Sequence, residues 1–277
     1  MRISISNIAW DPADDEAVCG LLHAYQLDAI DIAPGKYFPD PLCASDNDIV
    51  AVRQRWEQQG IALVGMQSLL FGTQGLNLFA DASVQKKMLH HLEAVSRIAS
   101  GLGIRSLVFG SPKNRDRQGI SDEATTEIAT QFFWQLGNIA QQEGVVICLE
   151  PNPECYGANF MTRTAETADM VRQVNHPAIK MQLDTGAIAI NDEDISAIVE
   201  HHRDIIGHIH LSEPNLIPLG RSNVDHMLVA NALNRSLPDS VATIEMLKTQ
   251  NESSLAAIED ALAFVTGHYR AVKGAAV

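Results

Sequence analysis

The chain has no run of about 18 apolar residues, the length that a membrane-spanning helix needs. Nor has it a CxxC pair: Cys19, Cys43, Cys148 and Cys155 are scattered. That spacing excludes a cysteine-built zinc or redox motif and suits reduced thiols in a cytoplasm. No glycine-rich phosphate loop follows the first strand pattern, where "SNIAWDP" stands instead. Basic residues are scarce. Twenty Lys and Arg face 34 Asp and Glu, a net charge of −14. A surface that acidic repels phosphate backbones, so nucleic acid is not an expected partner. Charged residues make up only 19% of the 277 positions and hydrophobic ones 46%, which excludes wholesale disorder and suits a sizeable core. The opening "MRISISNIAWDP" reads as a strand, because Asp11 interrupts any apolar leader.

What is present is one alternation, repeated from end to end. Short apolar runs at 2–9, 27–33, 61–68, 104–110, 145–150, 178–184, 205–211 and 241–247 read as eight strands. Amphipathic helical stretches lie between them, with start and stop signals. Asp11-Pro12 opens the first. Ser45 opens 46–59, which Gly60 stops, and the next runs over 82–100 to Gly101. Ser121 opens 122–143, which Gly144 ends, and Thr162 or Thr164 opens 165–174. Helices over 191–202, 223–234 and 252–269 complete the set. Eight strands alternating with eight helices predict an α/β fold, a (β/α)8 TIM barrel forming one domain over 1–277 with a loose tail at 269–277. A doubly wound open sheet would need the missing phosphate loop.

Barrel chemistry sits at the C-terminal ends of the strands. Strand 5 ends at Glu150 and strand 6 at Asp184, while strands 7 and 8 offer His210 and Glu245. These positions are 34, 26 and 35 residues apart, about one βα unit each. Four adjacent strands therefore lift Glu, Asp, His and Glu to one rim. Three carboxylates side by side are costly to bury without a counter-charge, and a divalent cation supplies it. The oxygen-rich set suits Mn²⁺ or Mg²⁺, with Co²⁺, Zn²⁺ or Ni²⁺ as possible substitutes. One layer deeper, at i−2, lie Cys148, Gln182, His208 and Thr243. His208 and Gln182 are expected to support the metal ligands from below.

With "LEPNP" at Glu150, "HPAIKMQLDTG" at Asp184, "GHIHLSEP" at His210 and "IEM" at Glu245, the chain resembles the xylose-isomerase-like TIM barrels over nearly its whole length. The resemblance is to ketose 3-epimerases, hydroxypyruvate isomerases and inosose-processing enzymes in particular. It implies that these four residues bind one divalent metal and that Glu150 and Glu245 also form the acid/base pair. Two features depart from the ketose 3-epimerase pattern. Ala187 stands where a histidine is typical, and the loop "SEPNLIPLGRSNVDH" reaches its arginine only at Arg221. Apurinic endonucleases of the superfamily need further histidines, but Gln67, Gly110 and Ala187 occupy those neighbourhoods.

The expected activity is thus isomerisation or epimerisation of a sugar or related α-hydroxycarbonyl compound, by proton transfer through an enediolate held on the metal. A dehydratase or lyase acting on a keto-sugar or keto-inositol shares that chemistry, and a non-catalytic sugar-binding barrel is a third reading. Relatives are often dimers or tetramers, which by analogy makes a homo-oligomer possible. Further pocket candidates are Asn152, for a substrate hydroxyl or a turn, and Glu213, at the mouth of the strand-7 loop. Lys113 and Arg115 in "SPKNRDR" could hold a phosphate or carboxylate, or form a solvated loop. Trp10 could stack on a sugar face or pack in the core.

Overall fold

The computed structural model describes residues 1–270. The strands are β1 (Arg2–Ser6), β2 (Ala29–Ile32), β3 (Ala62–Met66), β4 (Ser106–Phe109), β5 (Val146–Leu149), β6 (Ile179–Asp184), β7 (Ile206–Ser212) and β8 (Val241–Glu245). They pair in chain order, all parallel, and β8 closes on β1 to complete the barrel. Their near-continuous apolar sequences follow from burial on both faces. The outer layer holds α1 (Asp15–Ala24), α2 (Asp46–Gln58), α3 (Ala82–Leu102), α4 (Asp122–Gln142), α5 (Thr164–Val174), α6 (Thr185–Ile190), α7 (Ile195–His202), α8 (His226–Ser236) and α9 (Ser254–Tyr269).

The local signals explain most of these boundaries. Ser45 and Asp48 form a reciprocal capping box at the start of α2. Ser121 caps α4 through the Ala124 amide. Four helices depart from the sequence expectation, among them α8, expected over 223–234, which starts at His226 because Asp225 caps it through the Leu228 amide. α3 does not end at Gly101, which packs against Ile49; it ends at Gly103, whose φ of 78° terminates it. The helix expected over 191–202 starts at Ile195 instead, capped by Asp194. Before it stands α6, a short helix over residues assigned from sequence to neither a strand nor a helix. The tail expected at 269–277 is loose in neither of its first two residues. Tyr269 is buried, its hydroxyl 2.5 Å from His226 Nδ1, and Arg270 donates to the carbonyls of Tyr25 and Gln26. Residues 271–277 lie outside the described residues. No helix among the described residues is long and apolar enough to cross a membrane.

Two irregularities in strand register bear on the site. They fall between Ile30 and Asp31 and between Met181 and Gln182. Such bulges re-aim side chains. Here they serve the two strands that turn Asp31, Gln182 and Asp184 into the barrel interior.

Candidate metal centre and active site

Glu150, Asp184, His210 and Glu245 are all buried and come together at the C-terminal rim. Each offers one ligand atom, and the four atoms lie within 4.8 Å of one another. His210 Nδ1 is 3.4 Å from Glu150 Oε1 and 3.2 Å from Glu245 Oε2. The strand ends predicted from sequence are therefore the residues the barrel assembles.

Each acid is oriented by groups outside the cluster. Asp184 accepts from the Ala187 amide at 2.6 Å and from the Ser212 hydroxyl at 2.8 Å. It thus caps α6, which is why that helix begins there. Glu245 Oε1 accepts from the Gln67 amide at 2.6 Å, and Glu150 Oε2 accepts from Asn152 at 3.2 Å. The two glutamates share a pattern: one oxygen faces His210 and the other takes a side-chain amide. Gly110 is required beside Glu150, because a Cβ there would stand inside the carboxylate.

The electrostatics favour a cation. Burial, then the charges of Glu245 and Glu150, pushes the Asp184 carboxyl up to about 8. Burial opposes a charge on His210, yet Glu245, Asp31 and Glu150 hold its imidazole well above the usual histidine range. Glu245 ionises more easily than usual: burial works against it, and the His210 charge outweighs that. Three buried carboxylates that share one imidazolium lack compensating charge. Three carboxylates and an imidazole form a donor set that a divalent ion fits.

A polar layer supports the rim from below, as the i−2 positions suggested. His208 Nε2 is 2.6 Å from Asp31 Oδ2 and 3.3 Å from Thr243 Oγ1, which in turn meets Ser4 Oγ at 2.5 Å. With its amide turned so that the oxygen faces donors and the nitrogen faces acceptors, Gln182 donates to the His208 carbonyl at 3.2 Å and accepts from the His210 backbone N–H at 3.1 Å. Asp31 Oδ2 is also 3.9 Å from His210 Nε2. Asp31 was not among the sequence candidates. The one acid flanked by isoleucines in "AIDI" was the available signal. Burial opposes its charge, but the pull and hydrogen bond of His208 hold its carboxyl well below the usual range. Gly65 makes room for it as Gly110 does for Glu150.

Above the centre opens a cavity of about 530 Å³. Asn152 and Lys113 line it, as expected. Three other candidates do not. Trp10 is wholly buried among core residues and its indole donates to Asp15 at 2.8 Å. Glu213 is buried too, accepting from the Gly220 amide at 2.7 Å with His226 Nε2 at 3.0 Å, so it braces the β7 loop and does not face the mouth. Arg115 is neither solvated nor open to the cavity. It is 1% exposed, and Nη2 donates to Asn152 Oδ1 at 2.5 Å. Burial lowers its guanidinium to about 10 against the pull of Glu150. Arg221 pairs with Glu252 and Asp260 at the surface.

Sequence reasoning also missed much of the mouth. Phe71 is 82% exposed there, and Asn215 and Leu216 hold left-handed φ values of 61° and 53°. A bulky residue in that region is rare and occurs where the surroundings force it. The Tyr156 hydroxyl accepts from the Asn215 amide at 2.6 Å and fixes that turn.

The model of the xylose isomerase-like TIM barrel family matches residues 20–267, and the chain belongs to that family. A relative, the D-psicose 3-epimerase of Ruminiclostridium cellulolyticum, is 30% identical over 115 residues. That stretch spans 41% of this chain and 39% of the enzyme, so the chain aligns with about two fifths of that relative's length. The crystal structure of D-psicose 3-epimerase with D-tagatose from Clostridium cellulolyticum H10 superposes with a TM-score of 0.81 at 19% identity, over 97% of this chain and 99% of that one. The apo 3-keto-D-glucoside 4-epimerase of E. coli gives 0.79 at 16% identity, over 96% and 99%.

Proposed function

We propose that the protein is a divalent-metal-dependent isomerase or epimerase of a ketose or related α-hydroxy ketone. The observation that carries this is the convergence of Glu150, Asp184, His210 and Glu245 on one point at the floor of a sugar-sized cavity. These four residues would hold the ion, and the oxygen-rich set favours Mn²⁺ or Mg²⁺. When bound, a divalent ion supplies Lewis acidity, which makes the C–H beside a carbonyl easier to ionise.

Within that frame, the side chains divide the work. Glu150 takes the proton from the carbon next to the carbonyl, and Glu245 returns one, to the opposite face of that carbon or to its neighbour. Asn152 and Gln67 keep the two carboxylates aimed. Apolar walls that include Leu69, Val108 and Leu247 exclude water from the deprotonated substrate.

The test is turnover of a panel of ketoses with Mn²⁺ in D₂O. Deuterium should appear at the reacting carbon and product mass should otherwise be conserved. Loss of water would mark a dehydratase, and turnover without deuterium would sink the proton-transfer reading. Glu150→Gln and Glu245→Gln should each lower kcat by about 10²–10⁴-fold.

A further inference from the structure

Asn152 lies between two partners of opposite charge. Its Nδ2 donates to Glu150 Oε2 at 3.2 Å, and its Oδ1 accepts from Arg115 Nη2 at 2.5 Å. An amide held at both ends cannot flip or turn away. Arg115 is in turn locked in place. It closes a one-turn helix at Pro112–Arg115, within which the Ser111 hydroxyl donates to Asn114 Oδ1 at 2.6 Å. Asn114 Nδ2 then donates to the Leu76 carbonyl at 2.7 Å. Just beyond, Arg117 donates to the Asn159 carbonyl at 2.8 Å. The guanidinium therefore has no route out to solvent without unravelling the β4 loop.

This is an expensive arrangement for the fold. Arg115 Nε and Nη1 find no hydrogen-bond partner among the described residues, although the side chain is wholly buried. A buried charge with one hydrogen bond costs more than a well-packed apolar side chain of similar volume. Its one contact leads to a residue of the centre. The opposite glutamate lacks this backing: Glu245 is held by Gln67, whose Oε1 has no hydrogen-bond partner among the described residues.

We infer that Arg115 is a positioning residue that acts through Asn152. It fixes the Glu150 carboxylate with Oε1 toward the metal centre and Oε2 on the amide, and so makes the two glutamates unequal in mobility. The inference rests on the reading of Glu150 as a metal ligand and proton acceptor. It gives the basic loop after β4 a role other than anchoring a substrate anion.

The experiment is titration calorimetry of the full chain with Mn²⁺, for wild type, Asn152→Ala, Arg115→Met and the double variant, with Tm measured alongside. Each single variant should weaken Mn²⁺ binding by about tenfold, the lower range for a group that orients a ligand. The loss in the double variant should fall short of the sum of the two single losses, because the hydrogen-bonded path from Arg115 to Glu150 runs through that amide. Arg115→Met should melt at or above the wild-type temperature. Wild-type affinity in Arg115→Met, or losses that add in the double variant, would overturn the inference. Should Arg115→Met not fold, Arg115→Gln replaces it on the same criteria. If the wild type binds no Mn²⁺, the metal reading fails separately. Crystal structures of Asn152→Ala and an Arg115 variant then decide: Glu150 displaced supports the inference, and Glu150 unmoved overturns it.

Discussion

At the scale of single residues, the site is built as much by what is missing as by what is present. Gly110 has no side chain where Glu150 needs its volume. Gly110→Ala should therefore displace the carboxylate while the backbone, which is not in the left-handed region, stays as it is. Activity and Mn²⁺ affinity should each fall by at least about tenfold with Tm nearly unchanged, read by calorimetry and a melting curve on the same sample. A drop in Tm with affinity intact would show that the glycine serves the fold instead. The three acids and the imidazole of the rim were legible because strand ends recur at βα spacing and the residues there are of ligand type. Arg115 was misread. A basic residue in a Pro-containing loop reads as an anion contact or as solvated, and only the folded loop shows its side chain buried against Asn152. Asp31 was passed over because one acid in an apolar strand carries no spacing signal. Its partner, His208, lies 177 residues away in the chain.

At the scale of elements, caps and glycines located most helices, and they missed a short one. The run "TGAIAI" after the strand is too short to show a helical period, so it was assigned to no element; the Asp184 side chain makes it α6 by accepting from Ala187. The same residue thus starts a helix and lines the centre. α7 is separate from this duty. Asp194 Oδ1 accepts from the Ser196 and Ala197 amides at 2.9 and 3.2 Å. Asp194→Ala should cost about 1 kcal/mol and lower Tm by roughly 2–4 °C. Mn²⁺ affinity should stay at the wild-type value. A weakened affinity would mean that α7 and the metal centre are mechanically coupled through β6.

At the scale of the whole molecule, the acidic balance and the buried carboxylates set how the protein meets its ion. Asp184, raised to about 8 by burial and then by Glu245 and Glu150, holds a proton at neutral pH when the ion is absent, and His210 is raised as well. Both must lose a proton to bind a cation. The sign follows: affinity should climb at least about tenfold per pH unit between pH 6 and 7 and rise less steeply once Asp184 has ionised, above about 8. Calorimetry in buffers of different ionisation enthalpy should show protons released on binding. A flat profile would mean that neither group is a ligand. Chelation should lower Tm, and by more at pH 8 than at pH 6, because the acids then repel one another unrelieved.

The charged centre draws its ligand-type residues from β5 to β8, whereas much of the cavity wall is supplied by the segments after β3 and β4, Ser68–Phe71 and Ser111–Lys113. The second half also lends wall residues, Asn152, Tyr156, Leu216 and Leu247 among them, so both halves shape the cavity. Exchange of the first half alone would therefore alter about half of the cavity lining and would also remove Gln67 and Arg115, the supports of the two glutamates.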